Sequence, residues 1–425
     1  MTNIIKSPRG TRDILPIETI NWLNVEAIAQ SILAKSGYAE IRTPIFEETI
    51  LFKRGIGEGT DIVNKEMYNF LDQGNRELTL RPEGTAGVVR AFIEKQLHKN
   101  KLVNRLWYKG PMFRYERPQS GRQRQFHQLG VECLGTNDPQ ADFEVILLAI
   151  DILKGLQIDD FILEINSVGN FSDRQKYIVA LKDFLNKYKD DLDSDSIARL
   201  YINPFRIFDT KNKKTQEILN YAPILSNFLD NSSRSHFDSL CNYLSDAHIN
   251  YAVNNKLVRG LDYYTYTAFE IKTKNLGSQD TICGGGRYNH LVKQLQGPNM
   301  PAVGWGMGLD RLLLLLEQKQ ILNKNFIDFY IAIIDSNANN LSIQLINFLK
   351  KIGFTTELDL SKSRIQKQLK RAAQLSASAC IIIGQEEVQT NTFIIKWLNS
   401  GNQYQLHLND LSNIKKIYLE ELIRS

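Results

Sequence analysis

Four arginines lie in or directly before a polar loop between two predicted strands in the first third of the chain. Arg114 precedes the loop, and Arg117, Arg122 and Arg124 lie within it. The planar guanidinium group binds phosphate oxygens through paired hydrogen bonds and stays charged at any working pH. A salt bridge between Arg114 and Glu116 is the structural alternative for that one residue, but the additional arginines favour phosphate binding.

The segment after the loop has the alternation of a strand with two different faces. One face is mainly apolar and carries a histidine: His127, Leu129, Val131 and Cys133. The other face has an amide and a carboxylate on either side of a residue without a side chain: Gln128, Gly130 and Glu132. Such a surface is typical of the floor of a small-ligand site, with the ligand above Gly130. We therefore predict a polyphosphate next to a small polar substrate.

Three glycines lie on one face of a further predicted strand, at Gly304, Gly306 and Gly308. Their spacing leaves this face without side chains, so either a ligand or a closely packed neighbouring element can approach the backbone. Arg311 follows in the first turn of a leucine-rich helix, where an arginine is out of place unless an anion lies nearby. The chain has no Walker A or GxGxxG phosphate motif, so nucleotide binding would have to use the sheet.

The histidines show neither metal-ligand spacing nor the spacing of a catalytic triad. His127 lies on the apolar face of its strand, so we expect it to be a structural histidine. We find no suitably placed pair of nucleophile and base. This favours chemistry that depends on positioning and charge neutralisation.

The composition is that of an ordinary globular protein of two or three domains. The 425 residues are 43% hydrophobic and 23% charged, and the net charge of +5 permits a nucleic-acid partner without requiring one. The four cysteines are far apart, so we expect neither a zinc site nor a disulfide framework. No apolar segment approaches the ~20 residues of a membrane span, and no secretory signal is evident. We expect a soluble, cytoplasmic protein with no membrane association.

Changes in pattern divide the chain into two parts. Residues 1–322 carry the features described above and contain an insertion at 171–250 that is predicted to be mostly helical. Residues 323–325 form a plausible linker. Residues 326–425 alternate between strand and helix patterns, which predicts a separate α/β domain. A basic helix face around Lys367 in this domain is explained by solvation as well as by RNA contact.

Together these segments resemble the histidyl-tRNA synthetases, a family of class II aminoacyl-tRNA synthetases. The passage from Gly37 to Pro44 is similar to motif 1 of the class, Phe113-Arg114-Tyr115-Glu116 with its loop to motif 2, and Gly304 to Arg311 to motif 3. The segments similar to those of the family itself are Thr79-Leu80-Arg81-Pro82-Glu83-Gly84-Thr85, Gln125-Phe126-His127-Gln128, Arg259-Gly260-Leu261-Asp262-Tyr263-Tyr264 and Gly284-Gly285-Gly286-Arg287-Tyr288. Asp310 is a departure, since the family more often has glutamate there, although a shorter carboxylate can do the same work.

The resemblance implies an α+β catalytic domain, in which helices flank an antiparallel sheet and a helical insertion is present, and a C-terminal α/β anticodon-binding domain. It also implies a homodimer formed through motif 1. In the expected reaction, the carboxylate of L-histidine attacks the α-phosphate of ATP and releases pyrophosphate. The terminal ribose hydroxyl of tRNA(His) then captures the histidyl-adenylate. Mg²⁺ is expected to arrive on the ATP phosphates, and no metal ligands are assigned from the chain.

The resemblance also assigns roles to individual residues. Arg114 and Arg259 are expected to stabilise charge on the α-phosphate during catalysis. The expected ATP-binding residues are Arg114, Glu116 and Arg311, the last on the γ-phosphate and adenine side. The expected histidine-binding residues are Glu83, Gly84, Thr85, Gln128, Glu132, Tyr263 and Tyr264. Among them, Glu132 and Tyr264 are assigned to the two imidazole nitrogens, and the polar face of the first strand supports Glu132 independently.

Two alternatives share the same resemblance. The regulatory subunit of ATP phosphoribosyltransferase is similar to the same catalytic core but binds histidine without activating it. It typically lacks the C-terminal domain and the phosphate contacts, whereas this chain keeps Arg114, Arg259, Arg311 and a full domain after residue 325. A class II synthetase for another amino acid is the second alternative, and the Arg259 to Tyr264 segment and Glu132 argue against it.

Overall fold

The computed structural model describes residues 4–119, 121–258, 261–319 and 327–424. The chain divides into two compact units. One comprises residues 4–14 and 22–319, and the other comprises residues 15–21 and 327–424. The predicted linker at 323–325 and the predicted boundary at 322 lie outside the described residues.

The part of the chain before residue 320 contains ten α-helices and eleven strands among the described residues. The helices are α1 (Pro16–Lys35), α2 (Thr49–Ile56), α3 (Thr85–Glu94), α4 (Pro139–Gly155), α5 (Phe171–Asn186), α6 (Ser194–Ile202), α7 (Lys213–Leu219), α8 (Asn231–Asp246), α9 (Leu291–Gln294) and α10 (Leu309–Gln318). The strands are β1 (Ala39–Glu40), β2 (Phe46–Glu48), β3 (Tyr68–Leu71), β4 (Glu77–Leu80), β5 (Asn104–Phe113), β6 (Gln125–Leu134), β7 (Ile162–Gly169), β8 (Tyr251–Val253), β9 (Thr265–Lys272), β10 (Thr281–Arg287) and β11 (Ala302–Gly308).

A large sheet forms the centre of the first unit. In the described part of the chain it has eight strands in the order β1-β5-β6-β11-β10-β9-β7-β8. The two edge pairs, β1 with β5 and β7 with β8, are parallel, and the strands between them pair antiparallel. This confirms the predicted α+β fold with a largely antiparallel sheet. Helix α4 covers one face of the sheet, where Trp305 of β11 donates its indole N–H to the Val145 carbonyl at 2.6 Å.

The predicted long hairpin is confirmed as β5 and β6, which are joined by the arginine-containing loop. In its register, Tyr108 lies opposite Gly130. On the other side of β6, Gly304 of β11 lies opposite Glu132. Directly opposed residues of antiparallel strands project from the same face of a sheet. Three adjacent strands therefore share the surface that carries Gln128, Gly130 and Glu132.

The insertion predicted at 171–250 is helical, with α5 to α8 following directly after β7. Each of these helices begins with a residue whose side chain accepts a hydrogen bond from a backbone N–H in the first turn. These N-cap residues are Asn170, Asp193, Asn212 and Asp230. Such caps satisfy donors that would otherwise lack a partner, so the polar composition of this segment is compatible with short stable helices. We refer to α5–α8 as the helical module.

The second unit has the predicted alternation and adds a hairpin that the sequence patterns did not indicate. Its elements are β12 (Phe329–Ile333), α11 (Asn339–Lys351), β13 (Thr356–Leu358), α12 (Ile365–Gln374), β14 (Ala379–Ile383), α13 (Gln385–Thr390), β15 (Thr392–Trp397), β16 (Gln403–His407) and α14 (Ile414–Arg424). Among the described residues, five strands form a mixed sheet in the order β13-β12-β14-β15-β16. None of the described helices combines the length and the apolar character that a membrane span requires.

Candidate active site

An open cavity of about 170 Å³ lies beside the loop of the β5–β6 hairpin and the start of α10. Four residues predicted for the site line it: Arg114, Glu116, Gln128 and Arg311. Arg122, His127 and Asp310 join them, together with the glycines of β11 at positions 306 and 308. The cavity therefore brings together three guanidinium groups, two from the hairpin and one from α10. We refer to it as the arginine pocket.

Local contacts hold these arginines in place. Arg114 donates from Nε to the Pro82 carbonyl at 2.9 Å, and its guanidinium lies over the Phe126 ring at 5.2 Å. Its distance to the Glu116 carboxylate is 3.9 Å, so the alternative salt bridge exists but is long. Arg122 makes the closer ion pair with Glu116. One carboxylate thus pairs with two guanidinium groups. The two arginines therefore keep a net positive charge that can bind a phosphate.

Arg311 occupies the opposite side of the arginine pocket. It donates from Nε to the Gly121 carbonyl at 3.0 Å and from Nη1 to the Thr281 carbonyl at 2.8 Å. Burial, together with the nearby charge of Arg122, lowers the pKa of Arg311. A guanidinium group in this environment gains from an added anion because the anion offsets both effects. Asp310, the departure from the family pattern, accepts the His127 backbone N–H at 2.6 Å.

The predicted histidine-binding carboxyl group lies in a closed polar cluster that includes Thr85, three residues after the Pro82 carbonyl to which Arg114 donates. Glu132 is fully buried, with 0% of its surface exposed. Thr85 donates its hydroxyl to Oε1 of Glu132 at 2.7 Å, and the Tyr288 hydroxyl donates to Oε2. Burial raises the pKa of Glu132 to about 8, although the hydrogen bonds from Tyr288 and Thr85 oppose the shift. We refer to Glu132, Thr85, Tyr288 and the surrounding tyrosines as the buried cluster.

Glu83 and Gly84 shape one side of the buried cluster. The Glu83 carboxylate accepts the backbone N–H groups of Thr85 at 2.8 Å and Ala86 at 2.7 Å, which secures the start of α3. Burial raises the pKa of Glu83 above its ordinary value, although these hydrogen bonds oppose the shift. A Cβ atom on Gly84 would lie 2.0 Å from the Tyr108 ring. Gly84 is therefore required for the close approach of Tyr108.

The prediction that a ligand occupies the space above Gly130 is wrong. The ring of Tyr108 fills that space, and a Cβ atom on Gly130 would lie 2.1 Å from it. Tyr108 projects from β5 directly opposite Gly130, and it is packed between Gly130 and Gly84. Alternation along β6 indicated that the face was bare. It did not indicate that the neighbouring strand supplies the missing side chain.

The two interpretations of the β11 glycines can now be compared. A Cβ atom on Gly304 would lie 1.9 Å from Oε2 of Glu132, and one on Gly306 would lie 2.0 Å from Nε2 of Gln128. Close packing is therefore the reason for both glycines, because polar side chains of β6 lie across them. The oxygen Oε1 of Gln128 is buried without a hydrogen-bond partner in the described structure. Gln128 also lines the arginine pocket.

Replacing Gly304 with alanine is expected to displace Glu132. The new methyl group would meet the Glu132 carboxylate at 1.9 Å and the Val131 carbonyl oxygen at 2.3 Å. Overpacking of this kind typically costs ~1–3 kcal/mol, so we expect the free energy of unfolding to fall by about that amount. Gly308→Ala is the control, because its nearest neighbour would be an Arg311 carbon at 3.9 Å. Thermal unfolding in which both variants lose the same stability would contradict this explanation.

Tyr263 and Tyr264 close the buried cluster on its remaining side. Both are buried, and their ring centroids lie 4.8 Å apart. Tyr263 also contacts the Tyr288 ring, with a centroid distance of 5.6 Å. Burial raises the pKa of Tyr263 well above its ordinary value, so its hydroxyl stays protonated and can donate. Arg259, predicted to be catalytic, lies outside the described residues.

Tyr108 and Tyr288 are the site residues that the sequence interpretation did not assign. Tyr288 was noted only as part of a segment similar to the family. The structure shows how it is positioned, because the preceding residue, Arg287, is fully buried and pairs with Asp142 of α4. Burial alone would raise the pKa of Asp142, but Arg287 and His236 outweigh it and lower this pKa to about 2. The end of β10 is thus held by a buried ion pair.

The raised pKa of Glu132 predicts a pH-dependent stability. A carboxyl group whose pKa rises from 4.5 to about 8 on folding binds its proton more tightly in the folded chain. Its stabilising contribution is therefore complete below the unfolded pKa and is lost as the pH rises through the folded pKa. Between about pH 4.5 and pH 8, we expect the unfolding temperature of the wild type to fall relative to that of Glu132→Gln, which cannot ionise. A difference that does not change with pH would contradict the assignment.

The fold and the site together define a class II aminoacyl-tRNA synthetase. The β5–loop–β6 hairpin and the β11–α10 segment bring the arginines of motifs 2 and 3 to one pocket. The histidyl-tRNA synthetase family model matches residues 10–312, and the anticodon binding domain model matches residues 328–416. This chain belongs to the histidyl-tRNA synthetase family.

Individual relatives agree with this assignment. The histidine–tRNA ligase of a Cyanothece species is 54% identical over 421 residues, which cover 99% of this chain and 98% of the relative. The chloroplastic histidine–tRNA ligase of Gracilaria tenuistipitata var. liui is 53% identical over 96% of this chain and 97% of its own length. The apo structure of Staphylococcus aureus histidyl-tRNA synthetase is 36% identical, with a TM-score of 0.79 over 96% of this chain and 98% of that one.

Proposed function

We propose that the arginine pocket and the buried cluster form the active site of a histidine–tRNA ligase. ATP activates L-histidine as histidyl-adenylate with release of pyrophosphate, and the histidyl group is then transferred to the 3′ end of tRNA(His). The observation that carries the proposal is the fully buried Glu132 carboxyl group, to which Thr85 donates, while Arg114 of the arginine pocket donates to Pro82 of the same short segment. In this arrangement, Glu132 can recognise the polar side chain of the substrate while the arginines bind the phosphates.

The arginine pocket is proposed to bind ATP. Arg114 and Arg259 stabilise the charge that develops on the α-phosphate, while Arg311 and Glu116 hold the rest of the nucleotide. Among the described residues, no group of three or more His, Cys, Asp or Glu side chains is placed to hold a metal ion. Mg²⁺ that arrives on ATP needs only one or two carboxylates, and Glu116 in the pocket lining fits that requirement. The ion would neutralise phosphate charge.

The buried cluster and Gln128 are proposed to bind histidine. Thr85 and Tyr288 each hold one oxygen of Glu132, so the carboxyl group is already oriented before an imidazole N–H reaches it. Each oxygen can accept a further hydrogen bond. Gln128 and Glu83 serve the amino and carboxylate groups of the substrate, and Tyr263 and Tyr264 enclose the ring. Gly84 contributes indirectly, since it admits Tyr108 to the cluster.

The remaining parts of the chain receive roles from the family. Residues 1–322, including the insertion at 171–250, are proposed as the catalytic domain, and residues 326–425 as the anticodon-binding domain that contacts the tRNA. A cytoplasmic location is proposed because tRNA charging supplies the ribosome. The three-stranded sheet β2-β4-β3 and the residues on either side of β2 expose apolar side chains that support the homodimer: Ile45, Phe46, Ile50, Phe70 and Leu71. Light scattering should then give twice the chain mass of 48.7 kDa.

A tRNA-charging assay tests the proposed function. The full chain, supplied with ATP, Mg²⁺ and tRNA(His), should attach radiolabelled histidine to the tRNA. The alternative, a histidine-binding regulatory subunit of ATP phosphoribosyltransferase, would bind histidine and leave the tRNA uncharged. The presence of Arg114 and Arg311 in one pocket favours the ligase. Stable histidine binding without any charging would decide for the alternative.

A further inference from the structure

The segment that carries the two predicted histidine-binding tyrosines is held by the helical module. Arg174, in the first turns of α5, donates from Nη1 to the Tyr264 carbonyl at 2.9 Å. The same atom lies 3.3 Å from the Asp262 carbonyl and donates to it as well. Arg174 therefore contacts the main chain of Tyr264 directly.

A second set of contacts holds the side chain of Asp262. Asn203, at the end of α6, donates from Nδ2 to Oδ1 of Asp262 at 2.9 Å. Arg206, in the short helical turn that follows, approaches the same oxygen at 3.4 Å. Both groups belong to the helical module but lie about 30 residues from Arg174 along the chain. The module therefore holds both the main chain and the Asp262 side chain of this segment.

The opposite side of the segment rests on the catalytic core. The Asp262 backbone N–H donates to the Ile56 carbonyl at 3.2 Å. Gly57 has a φ of +103°, and a Cβ atom there would lie 2.9 Å from Oδ2 of Asp262. The core thus leaves room for the Asp262 carboxylate, while the module supplies the donors that hold it.

Arg174 is itself firmly placed. Its guanidinium lies over the Phe205 ring at 5.2 Å, and Phe205 is buried in the core shared with Tyr177. The start of α5 is fixed by a capping box between Asn170 and Asp173. A guanidinium anchored in this way restricts the carbonyl groups to which it donates, because moving either end would break packed contacts.

We propose that Arg174 and Asn203 are positioning residues for histidine binding. They do not belong to the residues predicted to touch substrate. Instead, Arg174 fixes the backbone of Tyr264, and Asn203 fixes Asp262 two residues earlier, so that Tyr263 and Tyr264 keep their places against Tyr288. The helical module thereby sets the affinity for the amino acid. This inference rests on the proposed function of the buried cluster.

Kinetics of the full chain test the proposal. Because the charged donor that fixes the Tyr264 carbonyl is lost, Arg174→Ala should raise the KM and the dissociation constant for histidine about tenfold or more, with the KM for ATP within about twofold. Arg174→Lys should recover part of the loss, since an ammonium group can still donate to one carbonyl. Asn203→Ala should give a smaller change of the same kind. Arg234→Ala is the matched control, because Arg234 of α8 donates to the Ser226 carbonyl within the module.

The outcomes separate this proposal from the proposed function. Calorimetric titration with histidine and pyrophosphate exchange are measured on the same preparations, together with thermal unfolding. A wild type that lacks histidine-dependent exchange overturns the proposed function. An active wild type whose Arg174→Ala and Asn203→Ala variants only unfold at lower temperature, with unchanged histidine binding, overturns the positioning role. Equal losses for histidine and ATP also overturn it, since they indicate a general structural effect.

Discussion

Replacing Glu132 with alanine is expected to raise the KM for histidine by about 100-fold or more, with a change in the KM for ATP below about threefold. The loss is large because the carboxyl group is fully buried and its partners, Thr85 and Tyr288, would be left without an acceptor. A substrate N–H would also lose its acceptor. Pyrophosphate exchange at varied concentrations of each substrate gives both constants.

Two further variants make this result specific. Glu132→Gln keeps the shape of the side chain but replaces one acceptor with a donor, so it should retain the fold and still bind histidine poorly. Glu387→Gln is the control for removing a buried carboxylate. Glu387 lies in the second unit, where its carboxylate accepts the backbone N–H of Gly384. If Glu132→Ala raised both Michaelis constants to the same extent, Glu132 would not be the residue that reads the amino acid.

Replacing Arg114 with alanine is expected to lower the maximal rate of pyrophosphate exchange by about 100- to 1000-fold, the usual effect of removing one donor from a developing charge. Histidine binding should change less than the rate, because the contacts of Arg114 within the described structure are with Pro82, Phe126 and Glu116 rather than with Glu132. Single-turnover formation of the adenylate measures the step directly.

The comparison with lysine tests the geometry of Arg114 as well as its charge. Arg114→Lys keeps the positive charge but loses the planar pair of donors, so it should recover only part of the rate. Arg117→Ala is the control, since Arg117 is an exposed residue of the same loop. A wild-type rate in Arg114→Ala, or an equal loss in Arg117→Ala, would show that α-phosphate stabilisation lies elsewhere.

The sequence predicted the elements that depend on neighbouring residues. The β5–β6 hairpin, the polar face of β6 and the helical insertion follow from alternation, turn residues and composition, and each is present. The C-terminal alternation of strands and helices was also predicted correctly. The hairpin of β15 and β16 was not predicted.

Contacts between distant strands could not be predicted in the same way. Alternation shows that Gln128, Gly130 and Glu132 share a face, but it does not identify the strands on either side. Tyr108 therefore remained unassigned, and the space above Gly130 was wrongly given to the ligand. The β11 glycines had two open explanations for the same reason. Only the register of β11 with β6 shows that Glu132 and Gln128 lie across them.

His127 shows a smaller limit of the same kind. Its position on an apolar strand face predicted a structural role, and its ring does contact the Trp22 ring at 4.7 Å. Its backbone N–H is held by Asp310, and its side chain also lines the arginine pocket. His127 thus contacts both an apolar ring and the arginine pocket. Assigning it to one face of its strand does not reveal the second contact.

Pyrophosphate exchange into ATP, measured with each of the standard amino acids in turn, tests the central claim most directly. The claim is that one pocket binds ATP through its arginines while the adjoining cluster selects histidine through Glu132. We predict rapid exchange with histidine and no significant exchange with the other amino acids. Exchange that does not depend on histidine, or exchange that is faster with another amino acid, would contradict the assignment of the buried cluster.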